Sequence, residues 1–331
     1  MLVTHIAGGL TLLQGFTDAR LAIPGVLVVS RCRNPALVLA STTPGAHLLV
    51  LSSSQSYMPW ATHGGDGHMH LVELSLGEYQ VVYNLLSLAI AAMLASFVFF
   101  VSARQFIAPT YRPAMVMSSL VVLVAGYHYL RIFNNWGEAF HLEAGVYKPT
   151  GVPFNDAYRY VDWLLTVPLL CAELVAVMNL KAGVRGPMMA KLVIASVLMV
   201  ALGYPGEVAT DMSSRAAWGA ASTVPFLYIL YVLWVELTKA SENESLHVKV
   251  LLRNARLLIL GTWGFYPIAY LLPQLGISGG RAIVGIQVGY SLADIAAKCG
   301  YGVMIYAIAR AKMAARGENV EGAIVPAVDR A

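Results

Sequence analysis

The sequence predicts an all-α membrane protein, a bundle of seven transmembrane helices, and three observations carry that prediction. Of its 331 residues 58% are hydrophobic and only 12% charged, with a mean hydropathy of +0.65, whereas a soluble domain carries about 25% charge. From Ser75 onward the chain is a succession of apolar runs long enough to cross a bilayer as helices, joined by short links. One of those runs nevertheless holds an arginine and two carboxylates. Ionisable groups in hydrocarbon are costly, so they face a bundle interior or a watery path and mark function.

Ser75-Leu76-Gly77-Glu78 has the form of a capping box, in which each polar side chain satisfies an orphan backbone N–H at a helix start. It opens the first span, which reaches about Ser102. Pro113, suited to the first helical position, opens the second, to about Trp136. The third runs from about Phe154 to Leu180. The fourth covers about Pro187 to Leu202 and is expected to stop at Gly203-Tyr204-Pro205-Gly206. The fifth spans about Ser214 to Leu237, the sixth about Val248 to Leu272 before Pro273, and the seventh about Ala282 to Ala309. Pro168, Pro225 and Pro267 fall inside spans, which membrane helices tolerate because neighbours re-satisfy the freed carbonyls. In the link His141–Phe154, Gly145, Pro149-Thr150-Gly151 and Pro153 flank Val146-Tyr147 and predict a short β-hairpin outside the membrane.

Residues 1–74 read differently. Short apolar runs at Val26–Val29, Ala36–Ala40 and His47–Leu51 are interrupted by Pro24, Arg31, Arg33, Pro35 and Pro44, as in a mobile extramembrane tail. Pro44 and many Ser and Thr argue against a helix between Asn34 and Trp60, and no charged n-region precedes a long apolar core. His63, His68 and His70, near Gly64 and Gly67, fit a solvated loop better than a metal site. The seven-helix domain is therefore 75–314, followed by a polar, disordered tail over 315–331. Cys32, Cys171 and Cys299 form no paired framework. Seven spans put the two ends of the domain on opposite sides. The links after spans one, three and five, with the C-terminal end, hold Arg104, Arg112, Lys181, Arg185, Lys191, Lys239, Lys249, Arg253, Arg256, Arg310, Lys312 and Arg316. The opposite links hold only Lys148, Arg215 and Arg281 beside several carboxylates. The positive-inside rule then places the C-terminus in the cytoplasm and the N-terminus outside.

The third span carries the chemistry. Arg159 and Asp162 are three residues apart and Asp162 and Thr166 four, so they share one helical face. Glu173 lies eleven residues past Asp162, close to three whole turns, which returns it to that face roughly 16 Å further along. One helix thus offers two proton-binding groups at different depths, as vectorial proton movement requires. In the seventh span Asp294 and Lys298 are four apart near mid-membrane. Such a lysine is suited to forming an imine with an aldehyde, and a bare Asp–Lys pair there would gain little over apolar packing. No P-loop, zinc cluster or nucleophile–base pair appears, so catalysis in the hydrolase sense is not expected.

Arg159-Tyr160-Val161-Asp162-Trp163-Leu164-Leu165-Thr166 with Glu173, then Trp263-Gly264-Phe265-Tyr266-Pro267, then Asp294-Ile295-Ala296-Ala297-Lys298, resemble the microbial rhodopsins, and within them the proteorhodopsin and xanthorhodopsin branch. The resemblance covers about Ser75 to Ala314 and gives the first 74 residues no counterpart. It implies a retinal pocket at the bundle centre, with Lys298 holding all-trans retinal as a protonated Schiff base. Asp162 and Asp294 would form its counterion and Asp162 would be the proton acceptor. Glu173 would return a proton from the cytoplasmic side, and Arg159 would tune the counterion from outside. Asp162, Thr166 and Glu173 match the proton type at the three positions that separate proton pumps from sodium and chloride pumps in the family.

The same resemblance implies that His128 pairs with Asp162 and can bridge protomers of a pentamer or trimer; on residues alone a packing histidine serves equally. Trp163, Trp263, Tyr266 and Pro267 would line the pocket, where an aromatic stripe by itself would be plain core. Leu170 stands at the spectral-tuning place, leucine going with green absorption. Gly219, after Trp218, stands where many relatives carry a bulky aromatic. That glycine resembles the xanthorhodopsin condition, in which a carotenoid antenna lies against the retinal ring, although a helix-packing glycine reads the same way. Cys299 departs from the proline or small apolar residue common after the lysine. The expected activity is a light-driven outward proton pump in a prokaryotic cell membrane, not an enzyme. The nearest alternative is a photosensory rhodopsin signalling through a partner, against which Glu173 argues. A seven-helix receptor or transporter without retinal is the more distant one.

Overall fold

In the computed structural model of the protein, Ser75 accepts a hydrogen bond from the Glu78 amide while the Glu78 carboxylate accepts one from the Ser75 amide at 2.9 Å, closing the expected capping box. The structure describes residues 22–23, 26–27, 36–41, 49–52, 71–155, 157–209, 211–272 and 279–321. His63, His68, His70, Cys32 and most of the expected C-terminal tail lie outside these residues. Two compact units divide the chain, Met1–Gly64 and Gly65–Ala331. In the first, Ala22–Ile23, Val26–Leu27, Ala36–Ser41 and Leu49–Ser52 pair in sequence order as an antiparallel sheet. Val26–Leu27, Ala36–Ser41 and Leu49–Ser52 fall on the three apolar runs noted above, and Ala22–Ile23 precedes them.

The second unit is the helical bundle. Its helices are Leu76–Ala103, Arg112–Ala139, Ala157–Met178, Ala182–Glu207, Met212–Tyr231, Leu246–Trp263 continued by Phe265–Leu271, and Gly280–Asp294 continued through a π-turn by Tyr301–Arg316. We number them first to seventh. Six are long and apolar enough to cross a membrane. The sixth is divided at Gly264 into stretches of 18 and 7 residues, the first of which carries Lys249, Arg253 and Arg256. The break precedes Pro267, whose missing N–H cannot bond the carbonyl of Trp263 four residues back. The fifth helix passes through a π-turn at Val232–Glu236 and runs on to Ala240.

Burial is inverted relative to a soluble protein. Val81, Leu88, Leu94 and Val98 of the first helix face outward, while Arg159, Asp162, Thr166, Glu173, Asp294 and Lys298 are all buried. Apolar residues outside and ions inside are stable only where the surroundings are hydrocarbon.

One end of the bundle carries the predicted hairpin. Phe140–Glu143 and Val146–Pro149 pair antiparallel around a turn at Ala144 and Gly145, both at positive φ (49° and 84°). Gly145 takes that conformation without the steric cost other residues pay. Leu74–Ser75 adds a third strand against Val146–Tyr147. We call this the hairpin end and the opposite one the basic end.

One expectation is corrected at the hairpin end. The fourth helix does not stop at Gly203-Tyr204-Pro205-Gly206 but runs to Glu207, and at its other end begins at Ala182, ahead of Pro187. Arg215 of the fifth helix donates to the carbonyls of Gly206 and Glu207 and to the Glu207 carboxylate at 3.2 Å, so the last turn's orphan groups have partners. Asp211 caps the fifth helix. Hydrogen bonds from the Ser213 hydroxyl and the Ser214 amide hold its carboxyl down at about 2. A depressed carboxyl stabilises above its ordinary value and stops doing so as the pH falls through the depressed one. This cap is therefore expected to stay intact down to about pH 3.8 and to fail between there and about pH 2, readable as proton exchange of the Ser214 amide.

Candidate functional site

At the bundle centre Lys298 sits on the π-turn Ile295–Gly300 of the seventh helix. Single π-turns inside helices are frequent at functional sites. Its Nζ lies 2.6 Å from Asp294 Oδ1 and 3.2 Å from Asp162 Oδ2, with all three side chains at most 3% exposed. The helical faces expected for Arg159, Asp162, Asp294 and Lys298 thus converge on one ion cluster.

The two carboxylates are not equivalent. Asp294 accepts hydrogen bonds from Tyr129 at 2.8 Å, Tyr266 at 2.5 Å and Lys298, with Arg159 Nη1 at 3.9 Å. Asp162 touches Lys298 through Oδ2, while its buried Oδ1 has no hydrogen-bond partner among the described residues. His128 Nδ1 stands 3.9 Å from that oxygen but is engaged at 2.9 Å with the Val124 carbonyl. Both of the histidine readings therefore have a contact. Thr166 Oγ1 donates to the Asp162 backbone carbonyl at 2.9 Å and fixes that turn of helix rather than the carboxylate. Arg159 is held from the hairpin side by Gln287 at 2.6 Å and Tyr129 at 3.2 Å, and lies over the Tyr290 ring at 4.8 Å.

Beside Lys298 opens a cavity of about 390 Å³ between the third to seventh helices. Trp163, Trp263, Tyr266 and Pro267, expected to line a pocket, line it, as do Leu170 of the tuning place, Gly219 of the expected opening, Tyr160, Phe226 and Tyr290. A mainly apolar slot with one primary amine in its wall, and two carboxylates against that amine, fits an apolar aldehyde joined to it. The residues present therefore suit retinal, whose place would be this slot with Lys298 as its anchor. A Cβ at Gly219 would lie 2.8 Å from the Tyr270 ring, so that ring holds the space a side chain there would need. Tyr270 is tied in turn by its hydroxyl to the Arg215 carbonyl at 2.6 Å, under the Arg215 guanidinium at 4.3 Å.

Glu173 stands apart from the cluster, fully buried toward the basic end. Ser118 of the second helix donates to Oε2, and Oε1 has no hydrogen-bond partner among the described residues. Cys299 packs its sulfur 3.4 Å from that of Met93, pointing away from the ion cluster into the first helix.

Four residues of the site escape sequence reasoning, namely Tyr129, Gln287, Tyr290 and Ser118. Each is an ordinary polar or aromatic residue on a helix other than its partner's. No spacing rule links residues across a bundle.

A family model described as bacteriorhodopsin-like protein matches residues 81–312. The green-light absorbing proteorhodopsin of Gamma-proteobacterium EBAC31A08 is 31% identical over 265 residues, 79% of this chain and 96% of the relative. Among solved structures, thermophilic rhodopsin is 56% identical with a TM-score of 0.72, covering 73% of this chain and 97% of its own. Xanthorhodopsin, described as a light-driven ion pump with dual chromophore, is 53% identical with a TM-score of 0.73, covering 75% and 100%.

Proposed function

This chain belongs to the microbial (type 1) rhodopsins, and from that premise we propose that it pumps protons outward across a prokaryotic cell membrane under light. As such it is an ion transporter and not an enzyme. The observation that carries the proposal is the inequality of the two carboxylates at Lys298, with Glu173 buried separately toward the other end.

All-trans retinal, held covalently at Lys298 Nζ, would supply light absorption and a change of shape. The chain's residues do the rest. Asp294, with three hydrogen bonds and Arg159 nearby, is built to stay an anion. Asp162, with one oxygen unpartnered, is the carboxylate placed to take the proton from the Lys298 nitrogen. Glu173 then reloads that nitrogen from the basic end, which the positive-inside rule makes cytoplasmic. Moving one proton out against ~150 mV costs about 3.5 kcal/mol, far less than a visible photon carries.

The test is the pH of a suspension of expressing cells given retinal, in light, with and without a protonophore. Acidification that the protonophore abolishes is the expected result. Alkalinisation that the protonophore enhances would mean another ion is moved. A coloured protein without any pH change would favour the photosensory reading. In the same assay Ser118→Ala, which removes the hydrogen bond Glu173 receives from Ser118, is expected to lower the steady pumping rate without changing the absorption maximum, because Ser118 touches Glu173 and not the ion cluster.

The finer proposal of a carotenoid antenna rests on Gly219 lining the cavity and on the xanthorhodopsin relative's second chromophore. Tyr270 fills the notch beside Gly219, so its ring would be the group a carotenoid packs against. A carotenoid band in the excitation spectrum for pumping, lost in Gly219→Trp, would support it. Its absence with carotenoid supplied would remove it.

A further inference from the structure

The third helix ends at Met178, five residues beyond Glu173 and about 7.5 Å further along its axis. The last carbonyls of a helix have no partner within it. That of Met178 accepts a hydrogen bond at 2.7 Å from Lys312 Nζ of the seventh helix. Lys312 is 0% exposed, and its ammonium also meets Glu244 Oε1 at 2.5 Å. Glu244 lies in the link between the fifth and sixth helices and retains 17% exposure. Arg316, one turn beyond Lys312, stands 3.9 Å from the same Glu244 oxygen and 3.7 Å from Glu318. One buried ammonium thus joins the end of the third helix, the seventh helix and the link between the fifth and sixth.

A buried ion pair gains little over apolar residues of the same volume, and its best-attested use is to specify or switch an arrangement. Nothing in the proton path described above uses this pair. It nevertheless closes the end of the very helix whose buried carboxyl must be reloaded from that side. We propose that Lys312 is a positioning residue for proton uptake, and that with Glu244 it forms a latch which shuts the basic end over Glu173 and opens once in each cycle to let water reach it. Shut, the latch keeps Glu173 dry, with Ser118 its one hydrogen-bond donor among the described residues. Open, it frees the Met178 carbonyl and the link carrying Glu244, the parts that Lys312 holds together. The inference rests on the proton-pump reading of Glu173.

The test uses the full-length, retinal-loaded protein in lipid vesicles and follows, after a flash, how soon a pH-sensitive dye on the basic side reports the proton uptake that reloads Glu173. Glu244→Gln keeps a hydrogen-bond acceptor but removes the charge, and Lys312→Met removes the latch. Both are expected to shorten reloading, Lys312→Met by about tenfold, while Lys312→Arg restores the parent rate. In the dark, hydrogen–deuterium exchange over the last turn of the third helix is expected to rise in Lys312→Met and not in Lys312→Arg. Should Lys312→Met fail to fold, Glu244→Gln carries the kinetic test alone. Unchanged reloading in the variants would overturn the latch. Slower reloading would overturn it too, since the pair would then be handing protons on. Glu173→Gln, measured alongside, separates the two failures. If it takes up protons like the parent, the reading of Glu173 as proton donor fails, and dark exchange still reports whether Lys312 closes that end.

Discussion

Lys298→Ala is expected to give a protein that stays colourless when all-trans retinal is supplied and that moves no ions in light. Among the described residues Lys298 is the lysine that lines the cavity, and its nitrogen stands between both carboxylates. Its loss has a second consequence. Breaking a buried pair leaves uncompensated charge and costs about 3–5 kcal/mol, and here two carboxylates would keep only Arg159, at 3.9 Å from Asp294, as a full-time cation. A colourless Lys298→Ala could therefore reflect misfolding. Lys298→Arg resolves this, because a guanidinium keeps the charge and cannot form the covalent link. The expected outcome is a folded, colourless Lys298→Arg, checked by circular dichroism and absorbance in the same sample. A folded variant that still colours would place the attachment elsewhere and remove the premise of the whole site.

The ion cluster was readable in advance because helical spacing is a strong rule. Arg159, Asp162, Thr166 and Glu173 share a face by arithmetic, and Asp294 and Lys298 do so independently. What spacing could not supply is the difference between Asp162 and Asp294. That difference comes from Tyr129 and Tyr266, on the second and sixth helices, which both donate to Asp294 and not to Asp162. The hairpin was legible from its turn residues, but its third strand, Leu74–Ser75, was not, since two residues carry no pattern. The π-turns at Val232–Glu236 and Ile295–Gly300 have no sequence signature at all. The early stop expected for the fourth helix failed for a reason of the same kind. Gly203 and Pro205 are local breakers, and they were overruled by Arg215, which binds the terminal carbonyls from the next helix.

Glu173→Gln is expected to leave colour and the first proton transfer intact and to lengthen about 10²-fold the time the Lys298 nitrogen waits for its proton. Glu173 is eleven residues from Asp162 on the same helix, roughly 16 Å along it, so exchanging its oxygen for an amide leaves the ion cluster untouched. Glutamine also keeps the shape and can still accept from Ser118. What it lacks is a proton to give. Reloading must then draw directly on the cytoplasmic water, so the rate of the slow phase should become proportional to proton concentration and the phase lengthen as the pH rises, whereas the parent's reloading stays nearly level with pH. Flash absorbance over a series of pH values reads both effects at once. A decay in Glu173→Gln that matches the parent at every pH would exclude Glu173 from the path. It would also return weight to the photosensory reading, because the buried Glu173 with its Ser118 donor is the feature that separates rapid turnover from a long-lived signalling state.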